Sequence, residues 1–178
     1  IVHTGDFKID TTPIQGQMID LARFGELGRE GVLALLCEST NAERPGFAMS
    51  EQKVGGSLRG IFRDAEKKRI IIATFASNVD RVQQIINVAV ENGRKVAVSG
   101  RSMVNVLEVA RELGYMKVPN GTLIDIDRVN KYAPEELVII TTGSQGEPMS
   151  ALYRMAYSDH KTVEIGPDDL VVLSSNAI

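Results

Sequence analysis

Residues 69–93 read RIIIATFASNVDRVQQIINVAVENG, and two different periods meet inside them. Ile70, Ile71 and Ile72 make a continuous β-branched run, the pattern of a strand buried on both faces of a parallel sheet. Beyond Ser77-Asn78 the period changes to 3.6, with Val79, Val82, Ile85, Ile86, Ala89 and Val90 on one helical face. Ser77 or Asn78 is available as N-cap, and Gly93 stops the helix. A strand that feeds directly into an amphipathic helix is the first half of a βαβ unit.

The alternation continues downstream. KVAVSG (95–100) is a strand, and SMVNVLEVARELG (102–114) is a helix with Met103, Leu107 and Ala110 inward. LVIITTG (137–143) is a strand that ends in the loop GSQGE (143–147). A helix follows, with Pro148 in its first turn and Met149, Leu152 and Met155 inward. LVVLSS (170–175), after the turn Gly166-Pro167, is the last strand. Right-handed βαβ units of this kind predict an α/β fold, a Rossmann-like three-layer parallel sheet with helices on both faces.

Upstream the pattern is sparser. Val2 reads as the end of one strand and Val32 to Cys37 as another. Met18, Leu21, Ala22 and Leu27 lie between them at helical spacing, punctuated by Gly25, Gly28 and Gly31. ESTNAERPGFAMSEQ (38–52), polar and broken by Pro45-Gly46, reads as a loop or a domain crossing. The expected organisation is one piece over 1–46 and a second domain over 47–178.

Composition narrows the class. The 178 residues are 43% hydrophobic and 24% charged, as expected for a soluble globular protein, and their apolar runs are too short for a bilayer. The formal net charge of -3 neither supports nor excludes an RNA partner, since EKKR and NGRK still offer local basic clusters. A single cysteine, Cys37, rules out an internal disulfide. It reads as a buried structural thiol in a reducing cytoplasm.

In a parallel sheet of this type, ligands bind beyond the carboxyl ends of the strands. Three loops there are chemically suggestive: Ala76-Ser77-Asn78, Ser99-Gly100-Arg101-Ser102 and Thr142-Gly143-Ser144-Gln145-Gly146. Each joins a strand to a helix start, where backbone N–H groups and the helix dipole favour an anion. Hydroxyls of Ser77, Ser102 and Ser144 add donors, and Arg81 and Arg101 add charge, so a phosphate is the natural guest. Helix caps and tight turns also call for serine and glycine, and none of the loops matches a dinucleotide or P-loop fingerprint. Asp6, after Gly5, and Glu38 sit at the two upstream strand ends, placed either to meet a cation or to cap a turn. His3 and His160 form no zinc motif, and His160 in SDHK reads as a solvated loop histidine.

Five segments, HTGDFKID (3–10), GREGVLALLCESTNAERPG (28–46), TFASNVDRVQQI (74–85), GRKVAVSGRSMVN (93–105) and TTGSQGEPMSAL (141–152), resemble successive segments of the ribonuclease J family, within the β-CASP metallo-β-lactamase superfamily. The resemblance runs through the chain in consistent order. It implies a β-CASP domain preceded by part of a metallo-β-lactamase domain. It also implies a cytoplasmic RNA hydrolase of rRNA processing and decay, with 5′-to-3′ exonuclease and endonuclease activity, two zinc ions and a preference for a 5′-monophosphate end. Asp6 matches the aspartate that bridges the two metals in that family, and Glu38 matches an acidic residue beside them. Glu38 departs from the aspartate usual there.

Ser77 and Asn78 match a loop that holds the phosphate and the terminal nucleotide. Asp80 stands where the family commonly has histidine. Ser144 and Gln145 fall in a loop facing the cleft. The other zinc ligands of the family would lie before Ile1 and after Ile178, so the chain alone is expected neither to hold zinc nor to cleave RNA. A homo-oligomer or a paralogue complex is the expected assembly. A non-catalytic nucleotide-binding or partner-binding module is the other reading, which the departures at Asp80 and Glu38 permit.

Overall fold

The computed structural model describes residues 1–175. It divides into two compact units, Ile1–Val54 and Gly55–Ile178.

In the first unit, β1 (Val2–His3) pairs in parallel with β2 (Leu35–Leu36), and α1 (Leu21–Glu30) lies between them in sequence. Asp20 caps α1 by accepting the Arg23 N–H at 2.9 Å, and the helix runs through Gly25 and Gly28 to end at Gly31, where φ is +97°. No residue of 1–50 is buried, and Leu33 and Phe47 are almost wholly exposed. The strand expected over Val32–Cys37 shrinks to two residues because β1 offers only two with which to pair. Cys37 therefore lies past the strand end and is exposed, which corrects its reading as a buried thiol.

α2 (Glu51–Asp64) contains the division between the units, and sequence periodicity did not reveal it. Gly55, Gly56 and Gly60 interrupt its apolar stripe. Within the second unit, Leu58 and Phe62 of α2 are buried. The elements that follow are β3 (Arg69–Ala73), α3 (Val79–Glu91), β4 (Lys95–Ser99), α4 (Arg101–Glu112), β5 (Leu123–Ile124), β6 (Leu137–Thr141), α5 (Ala151–Ala156) and β7 (Asp169–Leu173). Their strands form one five-stranded sheet in the order β5-β4-β6-β3-β7, with every pairing parallel. The α/β fold with a parallel sheet flanked by helices is the one expected.

Ile70, Ile71 and Ile72 are fully buried, each contributing about 2 kcal/mol of burial free energy. On one face Ile71, Ala97, Leu137 and Ile139 pack with Ala151 and Met155 of α5, Val129 and Val163. The connections β3-α3-β4 and β4-α4-β5 run across the sheet in one direction, and those into β6 and β7 run back. Right-handed crossovers therefore put α3 and α4 on the face opposite α5.

Two inward assignments are corrected. Val90 is 39% exposed, and Val88 is buried in its place, because α4 packs along α3 and extends burial beyond one stripe. Met149 is 70% exposed: the chain is still turning there, with φ of +65°, and α5 begins only after Ser150, which caps it by accepting the Tyr153 N–H. Pro148 thus precedes the helix.

Candidate functional site

Because all five strands run the same way, Ala73, Ser99, Thr141 and Leu173 end on a single edge. β6 lies between β4 and β3. Its outgoing loop leads to α5 on one face, whereas its neighbours' loops lead to α3 and α4 on the other. Strand ends where the loops diverge in this way are the place where such sheets bind ligands, in a crevice.

The loops after β3, β6 and β7 are tied together there. The Thr74 N–H donates to Thr141 O at 3.1 Å, and the Ser174 N–H donates to Ala73 O at 2.8 Å. Arg81, from the first turn of α3, donates through Nη1 to Ser174 O at 3.0 Å and to Ser174 Oγ at 2.8 Å. Gln145 Nε2 donates to Ser175 Oγ at 3.0 Å, and that hydroxyl donates to Ser144 O at 3.4 Å. Ser144 is only 7% exposed, yet its own hydroxyl finds no hydrogen-bond partner among the described residues. A buried hydroxyl left unmatched costs about 1–3 kcal/mol.

Of the residues singled out from sequence, Ser77, Asn78, Ser144 and Gln145 thus belong to loops of adjacent strands, and Arg81 to the helix turn that follows one of them. Asn78 spends its side-chain oxygen on the Arg81 N–H, 3.0 Å away, capping α3. Ser77 is exposed. Arg101 and Ser102 are exposed at the start of α4, on the other side of β6. The two loops touch: Gly100, at φ +109°, could carry no Cβ without meeting Thr142 Oγ1 at 2.7 Å.

Asp6 and Glu38 lie in the first unit, just past the carboxyl ends of β1 and β2. The two ends are knitted by Thr4, whose N–H donates to Leu36 O at 3.0 Å and whose Oγ1 accepts the Glu38 N–H at 3.2 Å. Glu38 caps its own turn, accepting the Thr40 N–H at 2.6 Å. Hydrogen bonds from the Thr40 side chain, then its backbone, hold the Glu38 carboxyl below the usual carboxylate value. Asp6 is exposed. His3 Nδ1 accepts the Gly5 N–H at 3.0 Å. Among the described residues no three His, Cys, Asp or Glu side chains lie close enough to hold a metal ion.

Sequence reasoning missed two features of the rim. Ser174 and Ser175 read only as the tail of a strand. His160, read as a solvated loop residue, is half-buried, with Nε2 2.9 Å from the Oγ of buried Ser99. The link joins residues 61 positions apart, which spacing along the chain does not signal. Among the described residues no helix is long and apolar enough to cross a membrane.

Comparison with known proteins agrees with this architecture. The family model described as "Ribonuclease J, beta-CASP domain" matches residues 67–178. The chain is 52% identical over its full length to ribonuclease J of Mycobacterium tuberculosis and 47% identical to ribonuclease J2 of Bacillus subtilis, spanning 32% of each. It is 47% identical to ribonuclease J of Helicobacter pylori, spanning 26% of that protein. The chain therefore covers a third or less of these relatives' length, and by the family match over most of its own residues it belongs to the ribonuclease J β-CASP domain family.

Proposed function

We propose that this chain is the RNA-gripping part of a ribonuclease J-type hydrolase, and that the crevice between β3 and β6 holds the 5′-monophosphate end of an RNA. The observation that carries this reading is the buried, unmatched Ser144 hydroxyl in a strand-end crevice also bordered by Arg81 and the Ser77 loop. A phosphate oxygen satisfies such a hydroxyl, and the positive dipole end of α3 favours negative charge. Ser77, Arg101 and Ser102, all on the same edge, extend the surface along the strand backbone.

In the same reading Asp6 is one zinc donor of the whole enzyme, and Glu38 stands beside it. The remaining donors come from outside residues 1–175. RNA processing and decay in the cytoplasm, and assembly as a homo-oligomer or paralogue complex, complete the proposal.

Fluorescence anisotropy with labelled single-stranded RNA tests it. The chain is expected to bind 5′-monophosphorylated RNA more tightly than the same RNA with a 5′-hydroxyl, and Ser144→Ala is expected to shrink that preference about tenfold. Equal affinity for the two ends would sink the 5′-end assignment. Incubated with zinc and RNA, the chain is expected to cleave nothing, and zinc-dependent cleavage abolished by Asp6→Ala would overturn the assignment of donors elsewhere.

A further inference from the structure

The Ser99–His160 contact has a direction that the backbone dictates. His160 Nδ1 accepts two main-chain N–H groups, from Thr162 at 3.3 Å and Val163 at 3.1 Å. A nitrogen that accepts carries no proton, so the neutral ring holds its hydrogen on Nε2 and donates it to Ser99 Oγ at 2.9 Å. That excludes a nucleophilic serine activated by histidine, since the ring nitrogen facing Ser99 is already protonated. It also leaves the serine's own proton to be donated elsewhere.

Ser99 is 5% exposed, and no other hydrogen bond of its hydroxyl is found among the described residues. It occupies the last rung of the β4–β6 ladder, opposite Thr141, and Gly100 after it opens α4 without a side-chain cap. A buried hydroxyl that already accepts one hydrogen bond and has its proton unspent, at the carboxyl end of a strand, is a donor prepared for an anion.

We propose that Ser99 donates a hydrogen bond to a phosphate of the RNA strand held at the rim, and that His160 is a positioning residue that sets the direction of that hydroxyl. The inference rests on the reading of the rim as an RNA site. It adds a contact at β4 that the residues of the β3 and β6 loops do not supply.

Two substitutions at one position separate positioning from mere support. In His160→Gln the amide NH₂ takes the place of Nε2–H and keeps the donor to Ser99. In His160→Asn the side-chain oxygen takes the place of Nδ1, keeping the Thr162 and Val163 bonds but losing that donor. Anisotropy with 5′-monophosphorylated single-stranded RNA is expected to give His160→Gln near wild-type affinity, while His160→Asn and Ser99→Ala both weaken about tenfold. Long-range ¹H–¹⁵N spectra of the wild-type ring are expected to show the Nε2–H tautomer. Wild-type affinity in Ser99→Ala, or a Gln variant weakened as much as the Asn variant, would overturn the proposal even if Ser144→Ala still impairs binding. No RNA binding by the wild-type chain would remove the rim reading and this inference together.

Discussion

Arg69 and Asp169 face each other at the first rung of the β3–β7 ladder, where Arg69 Nε lies 2.8 Å from Asp169 Oδ1 and Nη2 engages Oδ2. Both side chains are largely buried, at 16% and 6% exposure. The same Asp169 carboxylate accepts the Gly166 N–H, so one side chain pins the turn and the start of the edge strand.

Asp169→Asn leaves the arginine partly buried without its counter-charge. A loss of about 3 kcal/mol in unfolding free energy is expected by urea titration. β7 also carries Ser174 and Ser175 to the rim, so RNA affinity is expected to fall with it. Unchanged stability would show that the edge strand is held by its ladder alone.

Arg94, 5% exposed, is spent entirely on the opposite edge of the sheet. Its Nη1 donates to Lys68 O at 2.7 Å and its Nη2 to Ala65 O at 2.7 Å, with Leu137 O and Glu66 O as further acceptors, and its guanidinium lies over the Phe62 ring. A lysine ammonium keeps the charge but cannot span carbonyls that the planar fork reaches. Arg94→Lys is expected to lower stability by about 2 kcal/mol without altering RNA affinity at temperatures where the variant is folded. A parallel loss of binding would mean that the two edges are coupled.

Gly143 opens the loop after β6 at φ +108°, where an added Cβ would fall on Ser150 Oγ and 2.9 Å from Leu152 Cβ. Gly143→Ala is therefore strained by its backbone and by its neighbours at once. Thermal melting is expected to show a loss of more than about 2 kcal/mol, with a weakening of RNA binding that Gly146→Ala does not match, since an alanine at Gly146 is strained by its φ of +73° alone and meets open space.

Burial, then the charge of Arg154, push the His160 ring below its ordinary value against the pull of Asp127. The unfolded chain, with an ordinary histidine near pH 6.5, then takes up its proton first as pH falls. The contribution of His160 to stability is complete above about pH 6.5 and is lost as pH drops toward the folded-state value. Urea midpoints at about pH 8 and pH 5.5 are expected to differ more in the wild type than in His160→Gln. Equal differences would mean that the ring titrates normally.

How much of this was legible in sequence depended on the range of the interaction. The β-branched run at Ile70–Ile72, the helical face of Val82, Ile85, Ile86 and Ala89, and the stops at Gly93 and Gly114 are local signals, and the structure repeats them. α2 escaped notice because three glycines break its stripe. β5 escaped because two residues carry no period.

By itself the sequence determined the alternation of strand and helix, and hence the parallel sheet, its carboxyl edge and the family. Periodicity is a property of the nearest few residues, and burial follows from it. Only the tertiary structure decided the strand order, which sets the β6 loop between two loops leaving on the other face. It alone showed that Ser144 is buried with its hydroxyl unmatched, that Arg81 reaches Ser174, and that His160 meets Ser99. Those contacts join residues 61 to 93 positions apart, and the path of the backbone, not local preference, determines which of them meet.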